Sequence, residues 1–280
     1  MALDWDRIAG RLLDEDAPAG DLTTEALDIG DRPGRIRFSA RADMTIAGVE
    51  LAAALCRRAG VVALAHCRSG ARVAKGALLV EGEGPAGALH LAWKAAQTEM
   101  EFLSGLATAA RAIVDAVEAV NPKIRVACTR KTFPGDRLLS HFAVKAGGAI
   151  LHRTGLSETL LVFAEHRAFL PDADFATLAK RLREAAPEKR LAIEVSSVEE
   201  ACRAIDAGFE TIQLEKFSVD ATAATAGYAR KTSSDALIAA AGGVNAANAA
   251  DYVRAGAGLI VTSAPYNAPP RDVQVRVVAA

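Results

Sequence analysis

The residues best suited to chemistry sit in short polar clusters, each following an apolar stretch. "RVAC" runs into Thr129, Arg130 and Lys131, and "AILHRTGLSE" carries His152 and Arg153. "LAIEVSS" holds Glu194, and "TIQLEKF" ends in Glu215 and Lys216. "LIAAAGGV" ends in Ala241, Gly242 and Gly243, and "LIVTSAP" closes on Thr262, Ser263 and Ala264. Arg130, Lys131, His152 and Arg153 would form a cationic nest for carboxylates or phosphates, because guanidinium and ammonium groups make charge-assisted hydrogen bonds to such anions. Glu194 and Glu215 are acids in that basic setting. A pair of carboxylates beside phosphates suits Mg²⁺, which keeps several waters. Gly242-Gly243, before a helix expected to start at Asn245, would offer bare backbone N–H groups to a phosphate. The set implies an anionic acceptor, a phosphorylated sugar and a metal.

Taken singly, each signal has a plainer reading. Thr129-Arg130-Lys131 reads as a solvated loop, His152 as a satisfied core histidine, and Gly-Gly as a common turn. What distinguishes them is their recurrence at the ends of successive apolar stretches.

The elements that must position these groups follow from periodicity. From Lys123 onward, short apolar strands alternate with helices of ten or so residues ("IRVACT", "TLLVFA", "FATLAKRLREAAP", "LAIEVSS", "VEEACRAIDAG" and so on). Strand–helix–strand alternation predicts parallel strands wrapped by helices. A doubly wound sheet and a barrel both fit. No G-x-G-x-x-G follows a first strand, which disfavours a dinucleotide-binding sheet. At least six strands with polar groups at their ends favour a barrel, whose site lies at the C-terminal strand ends. The first hundred residues read as a mixed module. "LDWDRIAGRLLDED" has helical spacing, and Asp21 or Thr23 caps the helix of "GDLTTEAL". "GRIRFSARAD" alternates as a half-buried strand. A long helical stretch from "LAWKAAQTEM", with an expected break near Ser104-Gly105, leads into the second region. The expected division is an α/β sandwich over residues 1–112, with the tail 267–280 packing on it, and a barrel over residues 113–266.

Bulk properties narrow the classes. The chain has 280 residues, 51% hydrophobic, with 33 basic and 34 acidic side chains, net −1. That balance argues against a general nucleic-acid or anionic-membrane binder. Cys56, Cys67, Cys128 and Cys202 form no C-x-x-C pair and have no zinc spacing, so they read as idle thiols of a reducing compartment. No secretory signal or membrane-length apolar run is present, and a cytoplasmic location is expected.

With those residues in view, the chain resembles the quinolinate phosphoribosyltransferase (nicotinate-nucleotide pyrophosphorylase) family over nearly its whole length. The likeness is carried by "GDLTT" (20–24), "FLSGLAT" (102–108), "TRKTFPG" (129–135), "HRTGLS" (152–157), "IEV" (193–195) and "AGGV" (241–244). It implies an N-terminal α/β sandwich plus an incomplete α/β barrel of fewer than eight strands. It also implies a homodimer, or a hexamer built from it, in which one subunit's N-terminal domain covers the partner's barrel mouth. The implied reaction joins a pyridine dicarboxylate to phosphoribosyl pyrophosphate with Mg²⁺, releasing pyrophosphate and CO₂ to give nicotinate mononucleotide. By motif, Thr129, Arg130, Lys131, His152 and Arg153 fall on acid-binding and catalytic positions. Glu194 and Glu215 fall on sugar and metal positions. Ala241, Gly242, Gly243, Thr262, Ser263 and Ala264 line the phosphate region.

Six positions depart from that pattern. The family's second substrate-site lysine is Phe163 here, and the arginine donated across the dimer is Lys94. Glu215-Lys216 replaces the L-D-N acid and its neighbour, Ala241 replaces a serine before Gly-Gly, and Ser263 replaces a glycine. Losing an ammonium at Phe163 removes a charge-assisted hydrogen bond worth about 1.5–3 kcal/mol to a dicarboxylate, while an aromatic ring there offers stacking to a flat heterocycle. "TRKTFPG" with "HRTGLSETLLVFAEH" is most similar to the ModD branch, associated with molybdenum transport genes. The expected function is phosphoribosyl transfer with an altered acceptor pocket. The alternatives are quinolinate itself as acceptor, in NAD biosynthesis, or a non-catalytic phosphosugar- or oxyanion-binding protein linked to molybdenum uptake.

Overall fold

The computed structural model describes residues 3–280 and divides into two compact units. Of the described residues, the first comprises 3–109, 138–148 and 267–280; the second comprises 110–137 and 149–266.

In the first unit, α1 (Trp5–Asp16) is capped by Asp4 and α2 (Leu22–Ala26) by Asp21, whose carboxylates accept from backbone N–H groups of the first turn. Then come β1 (Pro33–Ala40), β2 (Met44–Thr45), α3 (Val49–Ala59), β3 (Val62–Ala65), β4 (Arg72–Val73) and β5 (Leu78–Pro85). The last strand of the chain, β13 (Val273–Ala279), pairs antiparallel with β1, giving the order β13-β1-β5-β3. β1 alternates exposed and buried residues, sending Ile36 and Phe38 into the core and Arg35 and Arg37 outward to Glu83 and Glu81. α3 buries seven of its eleven residues, six of them in that core.

α4 (Ala86–Glu118) is one uninterrupted helix of 33 residues, so the break expected at Ser104-Gly105 does not occur. Ser104 is buried, where its hydroxyl accepts from the Ala47 N–H and donates to the Ala47 carbonyl. Gly105 lies hard against the Pro269–Pro270 backbone, leaving no room for a Cβ. The small residues admit close neighbours; they do not end the helix. α5 (Arg137–Ala146) follows the Pro-Gly turn, and residues 138–148 belong to the first unit, where Phe142 packs edge-on against Trp5.

The second unit holds β6 (Arg125–Cys128), β7 (Ile150–Leu151), β8 (Leu160–Val162), β9 (Leu191–Val195), β10 (Thr211–Glu215), β11 (Leu237–Ala241) and β12 (Leu259–Thr262). Between and around them run α6 (Ala164–Arg167), α7 (Phe175–Ala185), α8 (Val198–Asp206), α9 (Val219–Lys231) and α10 (Ala249–Arg254). The strands form one parallel sheet in the order β7-β6-β12-β11-β10-β9-β8. Read around the ring, this is chain order closed by the β12–β6 pairing and open between β7 and β8. The result is a seven-stranded incomplete α/β barrel, in the class expected from the alternation.

The register assigns the two sheet faces. Gln213 pairs with Glu194 and Ala239, and Val261 with Ala127. Alternation puts Leu191, Ile193, Val195, Ile212 and Leu214 on the helix-packed face, in one core with Leu178, Ala201, Phe209 and Ala226. The other face carries Ala192, Glu194, Thr211, Gln213 and Glu215, with the small side chains of Ala127, Ala239 and Ala241.

Candidate active site

The sequence-predicted groups of the second unit come from successive C-terminal strand ends. Thr129 follows β6; its N–H donates to the Thr262 carbonyl at 3.0 Å and its carbonyl accepts from the Tyr266 hydroxyl at 3.0 Å. These bonds fix the root of the loop that carries Arg130 and Lys131. Thr129 Oγ1 accepts from the Lys131 N–H at 3.3 Å. His152 and Arg153 follow β7, with the His152 N–H donating to the Cys128 carbonyl at 2.9 Å. Burial, then the neighbouring Arg153, pushes the His152 imidazole below its ordinary value. The Arg153 guanidinium is lowered by burial and by Arg130, while Glu194 opposes both.

Glu194 links the two signs of charge. Burial raises its carboxyl; the Gln213 amide opposes the rise, Glu215 and Glu165 add to it, and Lys131 opposes it. Lys131, Arg153, Glu165 and Glu215 are therefore close enough to Glu194 for the charges to interact, and Arg130 is close enough to Arg153. Gln213 Nε2 donates to Glu194 Oε2 at 2.5 Å, while Gln213 Oε1 is buried with no hydrogen-bond partner. An unsatisfied buried acceptor costs on the order of 1–3 kcal/mol.

The glycine pair departs from expectation. α10 begins at Ala249 and has six residues, so Gly242-Gly243 do not sit at a helix N-terminus. Residues 245–248 form a turn in which Asn245 and Asn248 side-chain amides donate to the Gly243 carbonyl. Four asparagine and alanine residues satisfied by side-chain bonds replace the first helical turn, which the apolar spacing alone did not reveal. Gly242 and Gly243 have φ +78° and +83°, the left-handed region that favours glycine. A Cβ on Gly242 would lie 2.7 Å from Lys216 Cγ and backbone N and 3.0 Å from Glu215 Oε2; one on Gly243 would meet nothing within 4 Å. Gly242 thus lets strand ends β10 and β11 interlock, helped by the Lys216 N–H donating to the Ala241 carbonyl at 2.9 Å. Gly243 borders open space. Lys216 is itself left-handed at φ 57°, a conformation costing a bulky residue on the order of 1–2 kcal/mol. Its Nζ stands 3.8 Å from Glu215 Oε1.

Thr262 is buried, donating to the Val244 carbonyl at 2.6 Å and accepting from the Ala264 N–H at 3.0 Å, which fastens the loop after Gly243. Ser263 and Ala264 are half-buried at the same strand end, with the Ser263 carbonyl accepting from the Tyr266 N–H. Phe163 ends β8. Its ring lies 5.4 Å from the Arg153 guanidinium carbon and 5.8 Å from the His166 ring, nearly parallel to the latter. Its N–H donates to His166 Nδ1 at 3.0 Å. Lys94 lies in the first unit, 4.6 Å over the Trp93 ring and bonded to Gln97.

The sequence reading missed Gln213, Tyr266, Glu165 and His166. For Gln213 a signal existed: in "TIQLE" it shares the odd-numbered face with Thr211 and Glu215. No comparable pattern marked Tyr266, whose role arises from a contact across 137 positions. Burial pushes Cys56 and Cys128 up to about 12, so these thiols stay protonated at neutral pH. Among the described residues, no helix is long and apolar enough to cross a membrane.

Two family models match nearly end to end: Quinolinate phosphoribosyl transferase, N-terminal domain, over residues 21–104, and C-terminal domain, over residues 106–276. The chain belongs to the quinolinate phosphoribosyl transferase family. It is by class a phosphoribosyltransferase, similar to nicotinate-nucleotide pyrophosphorylases. Among curated relatives, it is 46% identical to ModD of Rhodobacter capsulatus over 88% of this chain and 94% of that protein. It is 32% identical to the nicotinate-nucleotide pyrophosphorylase [carboxylating] of Mycobacterium leprae over 91% and 90%. NadC from Streptococcus pyogenes shares the family fold, with TM-score 0.88 over 100% of this chain and 99% of that one at 22% identity. The C-terminal family model runs to residue 276 and so takes in the start of β13, which pairs with β1 in the first sheet.

Proposed function

We propose that the barrel mouth transfers the phosphoribosyl group of phosphoribosyl pyrophosphate to a flat, anionic heterocycle whose site differs from a pyridine-dicarboxylate site at Phe163. The observation that carries this reading is the mixed cluster: Lys131 and Arg153 within electrostatic reach of Glu194, Arg130 within reach of Arg153, and Glu215 within reach of Glu194. In the reaction, a ring nitrogen of the acceptor forms a bond to ribose C1 while the C1–O bond breaks and its electron pair leaves with pyrophosphate. Positive charge grows on the ribose and negative charge on the leaving group, so fixed charges of both signs are what the transition state needs. Arg130, Lys131 and Arg153 receive the acceptor's anionic group and the phosphates. Glu194 and Glu215 face the ribose. The open backbone at Gly243 receives phosphate oxygens.

A divalent cation fits this donor set. Among the described residues no group of three or more His, Cys, Asp or Glu could hold a metal, whereas two coupled carboxylates suit an Mg²⁺ shared with a diphosphate. Glu194 and Glu215 would hold it. When bound, Mg²⁺ neutralises charge on the departing pyrophosphate. We extend the reading to a cytoplasmic homodimer in which Lys94 reaches the partner's mouth and α4 presents it. An association with molybdenum uptake is supported by the likeness to ModD of Rhodobacter capsulatus.

Pyrophosphate release from phosphoribosyl pyrophosphate and Mg²⁺, assayed over a panel of heterocyclic mono- and dicarboxylic acids, tests this reading. Release with a monoacid and little with quinolinate is expected. Quinolinate turnover matching a nicotinate-nucleotide pyrophosphorylase would refute the altered pocket, and no release with any acid would refute catalysis. Phe163→Lys restores an ammonium and should tighten quinolinate binding about tenfold or more by calorimetry.

A further inference from the structure

Gln213 is the residue at the mouth whose chemistry is least explained by folding. It lies 6% exposed on the chemistry-bearing face of β10, in register with Glu194 on one side and Ala239 on the other. An apolar side chain of equal length would fill the same space and leave no unsatisfied carbonyl. The amide does leave one: Oε1 is buried without a partner, while Nε2 makes the side chain's one hydrogen bond, 2.5 Å to Glu194 Oε2.

That bond constrains Glu194 in two ways. It restrains the torsion of a carboxylate that, among the described residues, is held by this amide and by no ion pair. It also occupies Oε2 and leaves Oε1 outside that bond. Glu194 has charged neighbours of both signs, with Glu215 and Glu165 repelling it and Lys131 attracting it. An untethered carboxylate there would swing toward Lys131, as a charge in a mixed field does. The tether keeps it on the sheet face, one strand away from Glu215.

We infer that Gln213 is a positioning residue for phosphoribosyl transfer, holding the Glu194 carboxylate in the orientation that meets the sugar of phosphoribosyl pyrophosphate. The inference rests on the reading that Glu194 faces that sugar. It assigns Gln213 no contact with the substrate and no part in a bond-making step.

The test is a double-mutant cycle read by calorimetry of phosphoribosyl pyrophosphate with Mg²⁺, using the full chain, wild type, Gln213→Met, Glu194→Gln and the pair. If the inference holds, Gln213→Met weakens binding about tenfold, and adds nothing once Glu194 is already Gln. Loss of the unsatisfied carbonyl favours the folded variant while loss of the donor to Glu194 Oε2 disfavours it, so the coupling in the cycle, and not the melting temperature, separates a positioning role from a structural one. Gln213→Leu is a second apolar variant, should Met fail to fold. Glu194→Gln weakening binding while Gln213→Met and Gln213→Leu leave it unchanged would overturn the inference and spare the reading of Glu194. Equal, additive losses from Gln213→Met in both backgrounds would overturn it too, since the amide would then act on something other than Glu194. No binding by wild type, or none lost in Glu194→Gln, would overturn both.

Discussion

Strands β9 and β10 present two faces built from the same ten residues, and the faces do opposite work. The helix-packed face is Leu191, Ile193, Val195, Ile212 and Leu214, all buried in one apolar core. The inner face is Ala192, Glu194, Thr211, Gln213 and Glu215, with a raised carboxyl and an unsatisfied amide carbonyl. Fully burying one large apolar side chain stabilises by about 1.5–3 kcal/mol, and the inner face forgoes that gain at every position. A parallel strand buried on both sides ordinarily reads as continuous hydrophobic sequence. Here the alternation of a half-solvated strand survives inside a barrel because one face borders a polar site. Apolar packing is concentrated on one face and charge on the other, so on the proposed function the two should respond separately to substitution.

That separation can be broken in two ways. Ile212→Ala leaves a cavity in the helix-packed core and should lower unfolding free energy by about 2–5 kcal/mol in denaturant titration, while the folded fraction keeps its transfer rate. Glu194→Gln should cut transfer by on the order of 10²–10³-fold, the scale seen when one preorganised electrostatic group is lost. Its melting temperature should barely move, because the amide still accepts from Gln213 and no longer carries a charge that burial disfavours. A large fall in stability for Glu194→Gln would show that the inner face also holds the fold.

The adjacent glycines sharpen the comparison at smaller scale. Both are left-handed, so Gly→Ala at either costs about 1–2 kcal/mol of backbone strain. At Gly242 the new methyl also collides with the Lys216 backbone, whereas at Gly243 it enters open space. Overpacking adds roughly 1–3 kcal/mol, so denaturant midpoints should rank Gly242→Ala well below Gly243→Ala. Equal midpoints would mean that β10 and β11 are not locked together at their ends. Gly243→Ala should instead weaken pyrophosphate binding, because its backbone borders the open side.

Much of this division was legible in the sequence, and the parts that were not share a cause. Alternating strands and helices after Lys123 gave the barrel, and polar groups after apolar runs gave Arg130, Lys131, Arg153, Glu194 and Glu215. Those signals are local: a period, a cap, a strand end. The break expected at Ser104-Gly105 failed because propensity speaks only for the helix itself, while Ser104 and Gly105 are small to admit Ala47 and Pro269. The helix expected from Asn245 starts at Ala249, because asparagine side chains close a turn first. Gln213 and Tyr266 matter through partners 19 and 137 positions away, and nothing in their own neighbourhood announces those partners.

The smallest expected effect concerns proton binding at the same mouth. His152 is held below its ordinary value of 6.5, first by burial and then by Arg153, against the pull of Glu158. A histidine with a lowered folded value binds its proton more readily in the unfolded chain. Its contribution to stability is therefore fully present above 6.5 and is lost as pH falls through the lowered folded value. Denaturant titrations at about pH 5.5 and about pH 7.5 lie on either side of the ordinary value, where that loss begins. Wild type should lose more stability between them than His152→Gln, whose amide does not titrate. Equal losses would mean that the imidazole is not shielded from water. The groups around it, Arg153 above all, would then be more solvated than the buried half of the mouth requires, and the charges there would be too weakly coupled to divide a sheet into a stable face and a reactive one.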